Sequence, residues 1–456
     1  MAIQVVILAA GQGRRMYSNQ PKVLHRLGGK ALLEHVILTA LKISPETPPI
    51  IVYGHQGERL QEALGHYSVR WAEQQDQLGT GHAVLQAMPF VADDDRVLIL
   101  YGDVPLISEQ TLTRLIQATP PDAIGMVTVH LKQPTGYGRI LRDAMERVMG
   151  IVEEKDASEV ERAITEINSG IYILPAVHLK NWLPNLNNQN AQLEYYLTDV
   201  ISRGVKEKVA IYTVQPRQFE EILGVNDRVQ LAHLERFYQH QYAEKLMRQG
   251  VTICDPHRLD IRGDVEIGRD VTLDVNVILE GRVVIGHGCV IGPNTFLRNT
   301  TLGVNVEIKA NSIIDGAEIA AEAIIGPFAR IRPGTVLASK VHIGNFVELK
   351  NSQIDEGSKV NHLSYVGDSE VGKRVNIGAG TITCNYDGVN KHKTVIGDDV
   401  QIGSDTQLIA PVTVGAGATI AAGSTIIKDA PPHQLTLTQH IDQRSMADWE
   451  RPKKQG

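Results

Sequence analysis

Residues 319–349 read IAAEAIIGPFARIRPGTVLASKVHIGNFVEL, and an aliphatic residue returns at every sixth position of this stretch. The same spacing, with occasional shifts of register, continues from the region after Gly250 to Ile426. A fixed period of this kind is the signature of a solenoid. We expect each hexapeptide to form one short strand and one turn with its aliphatic side chain pointing inward. Three hexapeptides, about 18 residues, then complete one coil of a triangular prism.

The repeat is interrupted at residues 383–395, which read TCNYDGVNKHKTV. A solenoid accommodates an insertion as a loop that leaves one of its corners. This loop carries several polar side chains, namely Asn385, Tyr386, Lys391 and His392. Loops on rigid scaffolds often carry function, although a plain surface loop is the alternative.

The first half of the chain has a different pattern, in which strand-like runs alternate with helix-like segments. Residues 3–10 and 97–101 are short apolar runs, whereas residues 31–41 and 111–118 have helical spacing. This alternation predicts a largely parallel sheet flanked by helices. Residues 226–249 carry apolar side chains at every third or fourth position, which predicts a long amphipathic helix.

Composition limits the possible classes of protein. Hydrophobic residues make up 43% and charged residues 21% of the 456 positions, which argues against a disordered chain. Aromatic residues are only 5%, as a narrow prism without room for rings requires. The net charge of −7 disfavours a nucleic-acid partner. Three scattered cysteines argue against disulfides, and the apolar run at residues 5–10 is too short to span a bilayer. We therefore expect a cytoplasmic protein without a membrane partner.

The first predicted strand leads directly into a glycine-rich segment, LAAGQGRRM at residues 8–16. Its two glycines allow the backbone to approach an anion closely, with amide N–H groups directed at it. Nearby Arg14, Arg15 and Lys22 could neutralise charge in phosphoryl transfer. A glycine pair alone is weak evidence, because turns of this kind are common.

Asp103 stands at the end of a second apolar strand, in the sequence VLILYGDVPL. In parallel sheets this end of a strand faces the ligand crevice. A carboxylate facing a triphosphate indicates Mg²⁺, which prefers oxygen ligands. The alternative is a solvated aspartate in a turn.

Taken together, these segments resemble the sugar-1-phosphate nucleotidyltransferases. The motifs, in order, are LAAGQGRRM, PKVLH, LGTGHA, LYGDVPL, GYGRI, IVEEKDA, INSGIY, EYYLTD and GVNDR. Joined to a hexapeptide solenoid, they resemble a family of bifunctional N-acetylglucosamine-1-phosphate uridylyltransferases/glucosamine-1-phosphate N-acetyltransferases. The resemblance implies a Rossmann-like α/β nucleotidyltransferase domain at 1–228 and a helical linker at 229–249. A left-handed parallel β-helix with a C-terminal tail would follow at 250–456.

For the first domain, the resemblance implies transfer of a uridylyl group from UTP to N-acetylglucosamine 1-phosphate. The nucleotide would contact Leu8, Ala9, Ala10, Gly11, Lys22, Gln74, Gly79, Thr80, Tyr101, Gly102 and Asp103. Four further residues, Gly138, Glu153, Asn168 and Asn226, would contact the sugar or complete the nucleotide site. Asp103 and Asn226 would ligate Mg²⁺. Arg15, in the family's arginine position, and Lys22 would act in catalysis, and Arg14 replaces a common threonine.

In the solenoid, exposed residues that break the repeat carry the functional signal. A coil of about 18 residues places Arg332 and Lys350 directly above one another. Two stacked cations are unfavourable unless an anion lies beside them, which indicates a phosphate-bearing acceptor. A salt-bridged surface pair is the alternative. A histidine side chain can accept a proton at neutral pH, which draws attention to His362, although a single histidine is more often a surface or packing residue.

The resemblance implies that His362 is the general base of acetyl transfer from acetyl-CoA to glucosamine 1-phosphate. The acceptor would be held by Arg332, Lys350, Tyr365 and Asn376. Acetyl-CoA would be held by Ala379, Asn385, Tyr386, Ser404 and Ala422, between subunits of a homotrimer. Gln439 stands where the family has an arginine that contacts CoA, and the nearest cations are Arg444, Lys453 and Lys454.

Two other functions are consistent with parts of this sequence. The first is a nucleotidyltransferase with a single activity and a structural or regulatory solenoid. The second is a scaffold without enzymatic activity. The set Arg332, Lys350 and His362 and the 383–395 loop argue against the first of these, because a solenoid that is a pure scaffold requires neither.

Overall fold

The structure is a computed structural model that describes residues 2–54, 56–438 and 447. Contacts separate two units, Met1–Gln241 and Tyr242–Gly456. The boundary lies inside the long helix Arg228–Arg248, which begins two residues after the predicted start. The tail residues considered above, Gln439, Arg444, Lys453 and Lys454, lie outside the described residues.

The first unit is built on a nine-stranded sheet. Its strands are Ile3–Leu8, Ile50–Tyr53, Arg70–Glu73, Arg96–Tyr101, Ile124–His130, Arg139–Arg142, Val148–Val152, Glu166–Pro175 and Ile211–Val214. Ile3–Leu8 is an inner strand and pairs in parallel with Arg96–Tyr101 and Ile50–Tyr53. Glu166–Pro175 runs antiparallel to its neighbours. The predicted Rossmann-like sheet is confirmed, with this strand and Val148–Val152 reversed.

Helices cover the sheet. They are Leu32–Ile43, Gly57–Leu64, Thr80–Ala87, Glu109–Ala118, Glu159–Arg162, Ala176–Trp182 and Asp199–Lys206. Central residues such as Ile7, Ile99 and Ile173 are fully buried between the layers. Among the described helices, including Arg228–Arg248, none combines the length and the apolar composition needed to cross a membrane.

The second unit is a parallel β-helix with three faces, as the hexapeptide period predicts. The first face contains Thr252–Ile253, Thr272–Leu273, Val290–Ile291, Glu307–Ile308, Ile324–Ile325, His342–Asn345, Lys359–His362, Asn376–Ile377, Gln401–Ile402, Thr419–Ile420 and Leu435–Thr436. Three long strands, Leu259–Ile267, Val277–Ile285 and Phe296–Leu302, connect the other two faces.

The second face continues through Ile313–Asp315, Arg330–Ile331, Glu348–Lys350, Tyr365–Gly367, Ile382–Cys384, Gln407–Ile409 and Thr425–Ile426. The third continues through Ala317–Ile319, Thr335–Leu337, Gln353–Ile354, Ser369–Val371, Thr394–Ile396 and Val412–Val414. The chain passes from the first face to the second at a first corner, and from the second to the third at a second corner. These names are kept below.

Aliphatic residues stack inside the prism. On the first face, Ile325, Ile343, Val360 and Ile377 pair in succession, and all four are buried. The next partner of Ile377 is Ile402, and this coil is longer because it contains the loop at 383–395. The position of the insertion therefore leaves the register of the stack unchanged.

Candidate active sites

A cavity of about 490 Å³ opens where the central parallel strands of the first unit end. It is lined by Leu8, Ala9, Ala10, Gly11, Gln12, Arg14, Lys22, Val23, Gln74, Gln77, Gly79, Thr80, Ala83, Tyr101, Asp103 and Glu194. Ten of the eleven predicted nucleotide-binding residues are in this set. The eleventh, Gly102, packs behind the cavity, where a Cβ atom would lie 3.1 Å from Leu33.

The glycine-rich segment is held close to Lys22. Gly13 has a φ of 60°, and a Cβ atom on it would lie 2.6 Å from the Cβ of Lys22. A side chain at position 13 would therefore force the two segments apart. Gln77 donates a hydrogen bond of 2.9 Å from its side chain to the carbonyl of Ala10, which fixes the other side of the segment. The sequence analysis missed Gln77, although it lies directly before the LGTGHA motif.

Lys22 lies between the two predicted ligands of Mg²⁺. Its Nζ contacts the Asp103 carboxylate and lies 3.3 Å from Oδ1 of Asn226. The backbone brings Asn226 to this position, because the N–H of Val225 donates to the carbonyl of Asp103 at 2.8 Å. The two oxygens thus already face a positive charge, and they belong to the chemical class that Mg²⁺ prefers.

Asn226 does not cap the long helix, so its side chain can face Lys22. The sequence placed the start of the long helix at Asn226, but Asp227 caps it by accepting a hydrogen bond of 2.9 Å from the N–H of Gln230. Asn226 therefore lies outside the helix. Among the described residues, no group of three or more histidines, cysteines, aspartates and glutamates could hold a metal ion.

Of the two arginines after the glycines, Arg14 lines the cavity and Arg15 does not. Both side chains are exposed. Both belong to the short helix Arg14–Met16, and the spacing of the sequence alone does not show which of them lines the cavity. The catalytic role expected of Arg15 stays a prediction.

Three of the predicted sugar-contacting residues form a second cluster. The N–H of Asn168 donates to the carbonyl of Gly138 at 2.9 Å. A Cβ atom on Gly138 would lie 3.4 Å from Oε2 of Glu153. Glu153 borders a separate cavity of about 470 Å³, together with Thr198 and Asp199. The cluster is therefore next to, but not part of, the wall of the nucleotide cavity.

Burial shapes the electrostatics of this cluster. Burial raises the pKa of the Glu153 carboxyl, although Thr198 donates a hydrogen bond to it at 3.1 Å. The pKa of the Tyr101 hydroxyl is also raised, first by burial and then by the charges of Glu153 and Asp103. Tyr101 therefore stays neutral and can donate a hydrogen bond.

In the second unit, His362 lies at the first corner with its side chain exposed. Its Nδ1 is 2.8 Å from Oδ1 of Asn345, the residue directly before it in the stack. Because an amide oxygen only accepts, Nδ1 carries the proton and Nε2 of the neutral ring is free to take one. The sequence analysis did not identify Asn345. The one feature of the sequence that could have indicated its role is its position one coil before His362.

Three predicted acetyl-CoA residues continue the same column. The register places Ala379 one coil beyond His362, followed by Ser404 and then Ala422. Backbone hydrogen bonds connect adjacent coils here, from Asp405 N–H to the Ala379 carbonyl at 2.7 Å and from Gly423 N–H to the Ser404 carbonyl at 2.8 Å. The first corner therefore presents a continuous strip of small side chains next to the histidine.

The remaining predicted residues lie elsewhere on the prism. Asn385 is buried at the second corner, and its amide lies 3.5 Å from the Tyr365 hydroxyl and also contacts Asp368. Tyr386 follows it in the exposed loop. Asn376 is on the first face, paired with Lys359, and is not brought to the second face with Tyr365. One chain thus does not gather all the predicted residues into one pocket.

The two stacked cations each have a carboxylate partner. Arg332 forms an ion pair with Glu348 at 2.8 Å, and Lys350 lies 3.6 Å from Asp368. Burial opposes ionisation of Asp368, but hydrogen bonds from Asn351 and Asn385 and the charge of Lys350 keep its pKa below its usual value. Folding thus supplies a carboxylate partner for each cation, which is the salt-bridged alternative, and the stack by itself does not require an external anion. The acceptor-binding role of Arg332 and Lys350 stays a prediction.

Known protein families match parts of both units of this chain. A family model for the MobA-like NTP transferase domain matches residues 5–166, and one for the GMPPB C-terminal domain matches residues 261–347 and 319–414. A solved UDP-glucose pyrophosphorylase aligns with 53% of this chain and all of its own at 16% identity and a TM-score of 0.43, too low to support a conclusion.

Curated relatives are much more similar. "Bifunctional protein GlmU" of Methylococcus capsulatus is 55% identical over 455 residues, which is 100% of this chain and 98% of the relative. That of Azoarcus sp. is 54% identical over 453 residues, 99% of this chain and 100% of the relative. The match runs through the solenoid, so a single-activity protein is not favoured. The chain belongs to the GlmU family of bifunctional enzymes, in which one chain carries a uridylyltransferase and an acetyltransferase.

Proposed function

We propose that the solenoid acetylates glucosamine 1-phosphate, and that the N-terminal cavity then transfers a uridylyl group from UTP to the product. The convergence of Lys22, Asp103 and Asn226 supports the uridylyl-transfer part of this proposal. The orientation of His362 by Asn345, at the end of a column of small residues, supports the acetyl-transfer part.

Asp103 and Asn226 are proposed to hold Mg²⁺. Their oxygens face the Lys22 ammonium, so the site is already arranged around a positive charge. When bound, Mg²⁺ supplies positive charge against the phosphates of UTP. The two protein ligands leave most coordination positions for phosphate and water, as is usual for this ion.

The chain itself orients the uridylyl transfer. The backbone of residues 8–13 is proposed to receive the phosphates, with Lys22 and Arg14 neutralising their charge. The sugar phosphate oxygen attacks the α-phosphorus, forming one P–O bond while the bond to pyrophosphate breaks. The cluster of Glu153 and Asn168 would hold the sugar on its side of the cavity.

For acetyl transfer, Nε2 of His362 takes a proton from the amine of glucosamine 1-phosphate. The amine nitrogen attacks the thioester carbonyl, a C–N bond replaces the C–S bond, and CoA leaves as the thiolate. A backbone N–H near Ala379 would stabilise the oxyanion. Arg332 and Lys350 would bind the acceptor phosphate by exchanging it for their carboxylate partners.

We also propose a homotrimer. The predicted CoA residues of one chain lie at two different corners, so a neighbouring copy is needed to bring both sets to one ligand. The first corner also carries Phe328, Phe346 and Leu363, which are 48%, 54% and 63% exposed. Their φ angles are 56°, 56° and 46°, a region that large side chains rarely adopt. Burial against another copy would stabilise such residues. Sedimentation of Phe346→Asn should show weaker association, and an unchanged trimer would contradict this role.

The function is tested by measuring each half-reaction on the full chain. Thiol release from acetyl-CoA with glucosamine 1-phosphate should not need metal. Pyrophosphate release from UTP with N-acetylglucosamine 1-phosphate should need Mg²⁺. We expect the protein to carry out both reactions in the cytoplasm. Free cysteines persist in such a reducing compartment, and Cys254, Cys289 and Cys384 are all free. Absence of either activity in folded protein would overturn that half of the proposal.

A further inference from the structure

Two extended segments carry the residues proposed to hold the cation. Asp103 begins the segment that leads to Ser108, and Asn226 ends the segment that starts near Glu221. The segments are connected at one end by the hydrogen bond from Val225 N–H to the Asp103 carbonyl at 2.8 Å. They are connected at the other end by Glu221 and Ser108. They therefore run in opposite directions, joined at both ends.

The Glu221 end is held by a buried carboxylate, which is 8% exposed. Oε2 accepts hydrogen bonds from the N–H and the hydroxyl of Ser108 and from the Thr111 hydroxyl at 2.7 Å. Oε1 accepts from the N–H groups of Arg217 and Gln218 at 3.1 and 3.4 Å. Three of the five donors belong to Ser108, at the end of the first segment, and to Thr111 in the helix Glu109–Ala118, whereas the N–H groups of Arg217 and Gln218 lie just before the second segment.

This arrangement fixes the distance between the segments more strictly than apolar packing would. Burying a carboxylate is costly unless its oxygens are hydrogen-bonded, and a fully satisfied network of this kind makes a site rigid. Ile107 and Ile222, one from each segment, are buried in the same apolar cluster. A shift of either segment would break several hydrogen bonds at Glu221.

We propose that Glu221 is a positioning residue that sets the separation of Asp103 and Asn226 and thereby the affinity of the cation site. The inference rests on the proposed role of these two residues in holding Mg²⁺. Glu221 does not touch the cation. It acts through the loop Leu223–Asn226, which is also held by the hydrogen bond from the Val225 N–H to the Asp103 carbonyl.

The test compares Glu221→Gln with Glu220→Gln in the full chain. Glutamine keeps the shape of the side chain, but its NH₂ group replaces one carboxylate oxygen and cannot accept the hydrogen bonds that this oxygen accepts. The neighbouring Glu220 is half-buried and serves as the matched control. Binding of Mn²⁺ alone, followed by electron paramagnetic resonance, reports the site without turnover. Glu221→Gln should weaken Mn²⁺ binding about tenfold, the usual effect of removing an outer partner of a metal site. Glu220→Gln should not.

The kinetic readout is the Mg²⁺ concentration that gives half-maximal pyrophosphate release. It should rise about tenfold in Glu221→Gln, whereas the rate at saturating Mg²⁺ and acetyl transfer stay near the wild-type values. If Glu221→Gln does not fold, Thr111→Val removes one donor with little change of shape and should move both readouts in the same direction.

Two failures are distinguishable by including Asp103→Asn. If Asp103→Asn binds Mn²⁺ like the wild type, the cation site itself is wrong and this inference falls with it. If Asp103→Asn loses Mn²⁺ while folded Glu221→Gln and Thr111→Val retain wild-type affinity, only the role of Glu221 is overturned. A lower melting temperature of Glu221→Gln without a change in Mn²⁺ affinity would show a purely structural role.

Discussion

The hydrogen bond between Asn345 and His362 leads to a quantitative prediction for acetyl transfer. Asn345→Ala removes the acceptor that lies 2.8 Å from Nδ1 of His362. The imidazole can then rotate and can carry its proton on Nε2, the atom that must receive the proton of the amine. The histidine itself stays in place, so the variant should keep part of its activity.

The size of the effect follows from the kind of hydrogen bond that is lost. A hydrogen bond between neutral groups stabilises one arrangement by about 1 kcal/mol. Because about 1.4 kcal/mol corresponds to a tenfold change in rate, kcat for acetyl transfer should fall about fivefold. Removing the base in His362→Ala should cost about 10²- to 10⁴-fold. The two variants are therefore distinguishable by magnitude.

The assay is thiol release from acetyl-CoA with glucosamine 1-phosphate. Pyrophosphate release by the same preparation serves as the control, since Asn345 belongs to the second unit and should not affect it. A wild-type kcat in folded Asn345→Ala would refute the orienting role. A loss as large as that of His362→Ala would show that Asn345 does more than orient the ring.

Three further predictions concern both units. His362→Ala should lose most of its acetyl transfer, by the factor given above, and leave uridylyl transfer near normal, whereas Asp103→Ala should do the reverse; a comparable loss of both activities in either variant would contradict two separate sites. A fragment ending at 228 should be less stable than one ending at 241, because it lacks the buried Leu234 of the long helix, and losing such a side chain costs about 2–5 kcal/mol; equal melting temperatures would contradict this. Burial raises the pKa of Glu153 above its ordinary 4.5. Ionisation of this carboxyl therefore destabilises the folded state, and the loss of stability develops as the pH rises from the pKa of the unfolded chain through that of the folded chain. Glu153→Gln should therefore melt above the wild type at pH 7, with the difference vanishing near pH 4, and an unchanged melting temperature at pH 7 would argue against it.

The fragment prediction depends on contacts that the sequence did not reveal. Leu234 packs with Met16 of the glycine-rich segment and with Val225 beside Asn226. Glu235 accepts a hydrogen bond from the N–H of Gly28 at 2.8 Å. The first part of the long helix is thus a support for the nucleotide cavity, whereas its amphipathic pattern was compatible with a simple connector.

The sequence alone determined the solenoid, because each hexapeptide specifies its own strand and turn and the stacking of Ile325 on Ile343 repeats a local rule. It also placed Asp103 at the ligand end of a strand, since the end of an apolar run is a local feature. Only the tertiary structure decided which charges are neutralised. Arg332 meets Glu348 and Lys350 meets Asp368 through the geometry of successive coils, and Asn226 reaches Asp103 through a loop anchored far from it in sequence. Such pairings depend on how distant segments close on one another, and no local pattern of residues encodes that closure.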